Sequence, residues 1–226
     1  MVSIGVTYGS MLPETPDDQL LTLVARGDSE AFGLLYRRRH GDVYRFALHM
    51  TASPSIADDV TQETFLSVMR DAGRYEAARA TVGAWLCGIA RNHVRRRLER
   101  DRRLQPFAEA ASGEAEAAGQ LVAVDQDPLS EITRAERIEA LRHAILTLPV
   151  AYREAVVLCD LQEMSYVDAA DALGCALGTV RSRLHRGRAL LVSKLTDGDR
   201  GTVVDRDERP AVERTAQALR RLRTLA

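Results

Sequence analysis

Apolar side chains recur along this chain every three to four residues, and no stretch alternates convincingly with period two, so the pattern predicts helices almost throughout. From Asp17, Leu20, Leu23 and Val24 share a face, and Gly27 stops that helix. Asp28 or Ser29 caps the next, which places Phe32, Leu35, Tyr36, Val43, Phe46 and Ala47 on one stripe, with Gly41 as a point of kinking. Ser53-Pro54 is a start signal: a capping side chain, then a proline whose missing N–H costs nothing in a first turn. A helix over 56–70 follows, with Ile56, Val60, Phe65, Val68 and Met69 on its apolar side. A loop over 71–80 leads to a long helix over 81–103, whose apolar side is Val82, Trp85, Leu86, Ile89, Ala90, Val94 and Leu98. Trp85 lies within that stripe and reads as core.

The pattern lapses at 104–128. Five acids (Glu109, Glu114, Glu116, Asp125, Asp127), no basic residue and much Ala and Gly predict a flexible acidic linker with little to bury. Helix restarts at Asp127-Pro128, with Ile138, Leu141, Ile145 and Leu148 as its stripe and Leu148-Pro149 as its end. A helix over 151–161 buries Val156, Val157 and Leu158. Ser165 and Asp168 form a capping box for a short helix that Gly174 closes, and a last helix runs from about Gly178 to Leu195. The fold class is therefore all-α: two small helical domains, 17–103 and 128–196, joined by a linker over 104–127. A loose arm over 1–16 and a tail over 197–226, able to form a weak helix through Val212, Ala216, Leu219 and Leu222, complete the chain.

Charge refines this picture through its distribution, because the net charge of −1 predicts no affinity for polyanions. Thirty of the thirty-one basic residues are arginine, the side chain suited to phosphates and guanine edges, although a GC-rich genome also favours it. Cys87, Cys159 and Cys175 form no C-x-x-C pair, and with five scattered histidines they make no zinc pattern, so no metal and no cofactor is expected. No apolar run approaches a membrane span and the N-terminus lacks the order of a signal peptide, which predicts a cytoplasmic protein that meets no membrane.

Three stretches carry chemistry. The helices over 165–173 and 178–190, joined by a short turn with Gly at the hinge, have helix-turn-helix spacing. Thr179, Arg181, Ser182, Arg183, His185, Arg186 and Arg188 lie on the second of them, with no acid between Thr179 and Lys194, while Val180, Leu184 and Leu191 face inward. A major-groove helix needs this arrangement to read base edges. The long helix ends in seven arginines (91, 95, 96, 97, 100, 102, 103) against Glu99 and Asp101, beside a loop with Arg74, Tyr75 and Arg79; alone, such a run fits a solvated helix end slightly better than a DNA-binding path. On the helix over 56–70, Asp58, Asp59, Gln62 and Glu63 make an acidic stripe, which repels DNA and suits a protein partner.

The segment Ala57-Asp58-Asp59-Val60-Thr61-Gln62-Glu63-Thr64-Phe65 resembles the polymerase-binding helix of the sigma-70 family, and Trp85-Leu86-x-x-Ile89-Ala90-Arg91-Asn92 resembles its promoter-melting helix. Leu148-Pro149, Tyr152-Arg153-Glu154, Ser165-Tyr166 and the run from Gly178 to Arg188 are similar to the family's second DNA-binding domain. The likeness spans about residues 17–195, and two domains with one short linker point to the compact extracytoplasmic-function branch. It implies a non-enzymatic sigma factor that binds core RNA polymerase and directs promoter recognition, melting and initiation. Asp58, Asp59, Gln62 and Glu63 would contact the clamp of the largest subunit. Arg74, Tyr75, Arg79, Asn92, Arg95 and Arg96 would meet the −10 element and help to hold a flipped-out base. Thr179, Arg181, Ser182, Arg183 and Arg186 would read the −35 element. The acidic linker would thread the polymerase's RNA path, and an anti-sigma factor would hold the protein in check. Arg96 stands where the family often has Asp, and Ala176 where it often has Pro. Two other classes fit part of the pattern. A polymerase-independent helix-turn-helix regulator explains the C-terminal half but neither the acidic helix nor the second basic zone. A resolvase-like DNA-processing enzyme needs a strand-rich catalytic domain that the pattern does not contain.

Overall fold

The computed structural model of the chain describes residues 14–104 and 128–198. The described residues fold into helices α1 (Asp17–Val24), α2 (Ser29–Thr51), α3 (Pro54–Asp71), α4 (Val82–Leu104), α5 (Pro128–Leu146), α6 (Val150–Val156), α7 (Tyr166–Leu173) and α8 (Leu177–Gly198), with no strand among them. The N-terminal arm, most of the linker and the tail beyond residue 198 lie outside the described residues.

Local chemistry sets the helix ends. The Asp28 carboxylate accepts from the backbone N–H groups of Glu30 and Ala31 and starts α2. Ser53 accepts from Ile56 N and Pro54 occupies the first turn of α3. The junction between α2 and α3 turns on Ala52, held at φ 55°, where a glycine is the usual residue. Gly174 takes the left-handed conformation (φ 61°) that ends α7. Gly41 interrupts nothing, since α2 is continuous through it. A 3-10 turn (Ala72–Arg74) occupies the start of the α3–α4 loop. The segment expected as one helix over 151–161 is α6 followed by a π-helical turn, Val157–Leu161.

α1–α4 enclose one core around Leu20, Leu35, Phe46, Met50, Val60, Phe65, Leu86 and Val94, all nearly or wholly buried. α5–α8 enclose another around Leu141, Ile145, Leu148, Val156, Leu158, Leu173, Val180, Leu184 and Leu191. Asp17 ties α1 to α2 by accepting from Arg38 (2.9 Å) and Arg39 (2.5 Å). Two side chains expected in the first core are exposed instead. Met69 is 57% exposed and Tyr36 40%, because α3 and α2 each pack through a stripe narrower than their apolar content. Trp85 is half-buried, its ring 5.5 Å from that of Tyr75 and tilted 60° to it, rather than enclosed.

The two helix sets are in contact. α4 lies along α7, and α2 meets α5 and the π-helical turn. Gln162 donates to the Asp42 carbonyl (2.7 Å), Arg153 to the Met50 carbonyl (2.7 Å) and Thr81 to Asp168 (2.8 Å). The spacing of the two halves, which composition alone leaves open, is set in the free chain by these bonds.

Gly187 of α8 is the most crowded of the described glycines, since a Cβ there would lie 2.8 Å from Val156 Cγ2. Gly187→Ala is expected to lower stability by about 1–3 kcal/mol through overpacking. Gly178→Ala, where a Cβ meets nothing within 4 Å, is expected to leave it unchanged or slightly raised. Urea midpoints of the two variants check this, and equal midpoints would show that α8 does not sit on α6 so closely.

Candidate nucleic-acid interface

α7 and α8 make the helix-turn-helix. Ser165 Oγ accepts from Asp168 N (3.1 Å) and starts α7, but Asp168 does not close a reciprocal capping box. Its carboxylate accepts from the Ser165 hydroxyl (2.6 Å) and from Thr81 at the start of α4. After Gly174, α8 begins at Leu177, and Val180, Leu184 and Leu191 bury its inner side. Arg181, Ser182, His185 and Arg186 are exposed and Thr179 is half-buried. Arg183 lies on a different side, half-buried, with Nη1 3.8 Å from Cys175 Sγ. Arg188 is turned to α6's π-helical end, where Nε and Nη2 fork onto Asp160 at 3.1 and 2.5 Å. Of the arginines of this helix, Arg181 and Arg186 therefore point most freely outward.

A second set of polar groups gathers at the α3–α4 loop and along α4. Tyr75 donates to the Ala80 carbonyl (2.9 Å) and packs with its ring tilted against Trp85, which shapes the loop. Burial raises the Tyr75 phenol, helped by Asp18 and Asp17, so it stays a neutral donor. Arg74 and Arg79 are largely exposed and make only local pairs, with Asp71 (3.3 Å) and Glu76 (3.6 Å). Asn92, Arg95 and Arg96 are exposed on α4. A cleft of about 770 Å³ opens between this set and the turn of the helix-turn-helix; Arg74, Tyr75, Arg79, Trp85 and Asn92 line one wall, Gly174, Cys175 and Ala176 the other. Arg95 and Arg96 are not among its lining residues.

The acidic stripe of α3 is divided. Arg97 of α4 bonds Asp59 (3.1 Å) and Glu63 (2.8 Å), and His93 Nδ1 reaches Glu63 at 3.0 Å. Burial outweighs the nearby Glu63 and holds the His93 imidazole below its usual value, so at neutral pH that contact is a hydrogen bond from a neutral ring rather than an ion pair. Asp58 and Gln62 face solvent in line with Leu66 and Met69, which are 50% and 57% exposed. Tyr36, edge-on to Phe65 at 4.8 Å, adds a third exposed apolar group on the neighbouring helix. Tyr36 and Met69 were read as inward because each sits at an apolar position of a helical period, whereas Leu66 lies in line with Asp58 and Gln62 on the polar stripe.

The cysteines are free thiols. Burial pushes Cys87 up to about 12 and Cys159 up to about 11, so neither is a thiolate at neutral pH. Among the described residues no helix is long and apolar enough to cross a membrane.

Comparison with known proteins gives the following. The Sigma-70 region 2 family model matches residues 35–104 and the Sigma-70 region 4 model residues 138–191. The ECF RNA polymerase sigma factor SigM of Mycobacterium tuberculosis is 37% identical over 185 residues, covering 80% of this chain and 86% of that protein. SigW of Bacillus subtilis, also an ECF RNA polymerase sigma factor, is 29% identical over 179 residues, covering 77% and 94%. Among solved structures, the sigma factor RpoE of Bartonella quintana, in complex with the anti-sigma factor NepR, superposes with a TM-score of 0.54 at 26% identity, covering 73% of this chain and 96% of that one.

The Arg188–Asp160 fork fixes the middle of α8 to α6. Removing it by Asp160→Ala leaves a half-buried guanidinium without its carboxylate and is expected to cost about 1.5–3 kcal/mol in a chemical denaturation curve. A loss below about 0.5 kcal/mol, the ordinary range for a surface substitution, would mean that the pair does not anchor the helix.

Proposed function

The chain belongs to the sigma-70 family of RNA polymerase sigma factors, in the extracytoplasmic-function branch, and directs promoter recognition and transcription initiation; from this premise we propose how its surfaces divide that work. The observation that carries the proposal is that one chain presents two separate basic surfaces and one acidic, partly apolar surface, each on its own helix. Residues 17–103 act as the domain that binds core polymerase and the −10 element, and 128–196 as the domain that binds the −35 element. Asp58 and Gln62, with Asp59 and Glu63 behind them, dock on the clamp of the largest subunit, and the exposed Leu66 and Met69 extend that contact. Arg74, Tyr75, Arg79 and Asn92 receive the melted −10 element, with Arg95 and Arg96 on its backbone. Arg181, Ser182 and Arg186 enter the major groove at the −35 element, with Thr179 and Arg183 toward the phosphates. The protein acts by binding rather than by catalysis, in the cytoplasm, and a separate anti-sigma factor restrains it.

The decisive experiment adds the purified chain to core polymerase on a promoter template. Specific initiation that depends on both components supports the proposal. Tight footprinting by the chain alone would favour a polymerase-independent regulator instead.

Asp58→Arg is expected to abolish co-purification with core polymerase while leaving the melting curve unchanged, because Asp58 has no ion-pair partner among the described residues. Asp59→Arg also breaks its pair with Arg97, half-exposed at the Asp59 end, and should cost up to about 1 kcal/mol of stability besides. Undiminished co-purification by both variants would refute the docking surface.

Arg181→Ala and Arg183→Ala should weaken initiation in different ways, as their positions in α8 differ. Loss of Arg181 is expected to cost about 1–3 kcal/mol and relax preference at a single base pair. Loss of Arg183 is expected to weaken all sequences alike and lower the salt slope by about one. Open-complex formation across single-base variants of the −35 element at two salt concentrations distinguishes them, and no change in either would remove α8 from the −35 contact.

A further inference from the structure

Beyond α8, Val212, Ala216 and Leu219 recur at helical spacing, and the next position on that row is Arg223. Over 211–225 four arginines (214, 220, 221, 223) stand against one acid, Glu213, so a helix there is basic with a short apolar row. A helix of about 15 residues is marginal alone in water and needs a surface that buries its row. α3 offers one. Its outward row is Asp58, Gln62, Leu66 and Met69. Three of the six large apolar side chains exposed among the described residues, Tyr36, Leu66 and Met69, gather on this one face. Asp58, at its other end, has no ion-pair partner among the described residues, whereas Asp59 and Glu63 share Arg97. The two rows match when laid antiparallel: Met69 to Asp58 and Val212 to Arg223 each span eleven helical steps, about 16 Å, with apolar groups at one end and opposite charges at the other. Laid parallel, Arg223 would meet Met69 and Val212 would meet Asp58. The twelve residues 199–210 that join α8 to this segment span up to about 40 Å, more than twice the radius of gyration of about 15 Å expected for a chain of the described length, so α3 lies within reach.

We propose that residues 211–225 dock as a helix on this face of the free chain, antiparallel to α3, with Val212 and Ala216 on Met69, Leu66 and Tyr36 and with Arg223 paired to Asp58. The segment carries the charge that the face lacks and an apolar row of the same length. The proposal rests on the reading of this face as the contact for the polymerase clamp, and adds that the tail must leave before core polymerase docks. A covered face lowers the apparent affinity for polymerase in proportion to the fraction covered. One solvent-exposed ion pair and a short apolar row hold the cover, so a larger partner surface displaces it.

Amide hydrogen exchange of the full chain, followed on fragments covering 211–225, reads the contact without polymerase. Exchange there is expected to be at least about tenfold slower than in an unstructured chain. Arg223→Glu sets two acids against each other and should return exchange to the unstructured rate. Arg223→Glu combined with Asp58→Arg restores the pair with its charges exchanged, and should restore the protection. The Arg223→Glu chain is also expected to bind core polymerase about fivefold more tightly than wild type, as the uncovered fraction rises. Unstructured exchange in the wild type, or protection that ignores Arg223→Glu, overturns the docked tail. Protection that appears only on adding duplex DNA, or vesicles of phosphatidylcholine and phosphatidylglycerol, assigns the tail to nucleic acid or membrane and overturns it too. Loss of protection with unchanged polymerase affinity overturns the competition. The clamp reading fails separately, if Asp58→Arg still co-purifies with core polymerase, and that outcome leaves the exchange result standing.

Discussion

A carboxylate with no exposed surface stands where the two halves of the chain meet. Arg91 crosses from α4 to reach Glu154 at 2.9 Å, and that contact ties the two halves together. It holds α4 against the second helix set and goes with the placing of the α3–α4 loop opposite the helix-turn-helix. Arg153, the neighbour of Glu154, works in the same direction, with bonds to the Met50 carbonyl of the first half and to the Leu146 and Leu148 carbonyls of its own.

The same sorting of charge explains which groups remain for partners. Arg97 is used up on Asp59 and Glu63, and Arg188 on Asp160. Among the groups left outward are Asp58 and Gln62 beside Leu66 and Met69 on α3, Asn92 and Arg96 on α4, and Arg181 and Arg186 on α8. Each internal pair thus holds a helix in place and at the same time removes a charge from competition, so a chain of nearly zero net charge presents surfaces of opposite sign.

The elements were legible because their signals are local. Ser53-Pro54 starts α3, Asp28 starts α2, and Ser165 and Gly174 bracket α7 as their chemistry requires. The buried row Val180, Leu184 and Leu191 gave α8 its inner side, and with it the exposure of Arg181. What joins distant residues was not legible. Glu154 stands among ordinary helix formers in Tyr152-Arg153-Glu154 and carries no mark of burial, and its partner lies 63 residues earlier. Arg97 looks like one more member of an arginine run until α3 is packed against it. Tyr36 and Met69 were assigned inward by apolar periodicity, which fixes a face but not how far the neighbouring helix covers it. Asp168 reads as a capping-box acid, yet its carboxylate is turned to Thr81 of the other half.

The bonds from Thr81, Arg153 and Gln162 hold the two halves together in the free chain. Spin labels at Arg26 and Lys194, exposed sites in the two halves, in a chain whose native cysteines are replaced, report this by electron–electron dipolar distance measurement. The expected result is one narrow short-distance population for the free protein. A broad distribution in the free chain would contradict it.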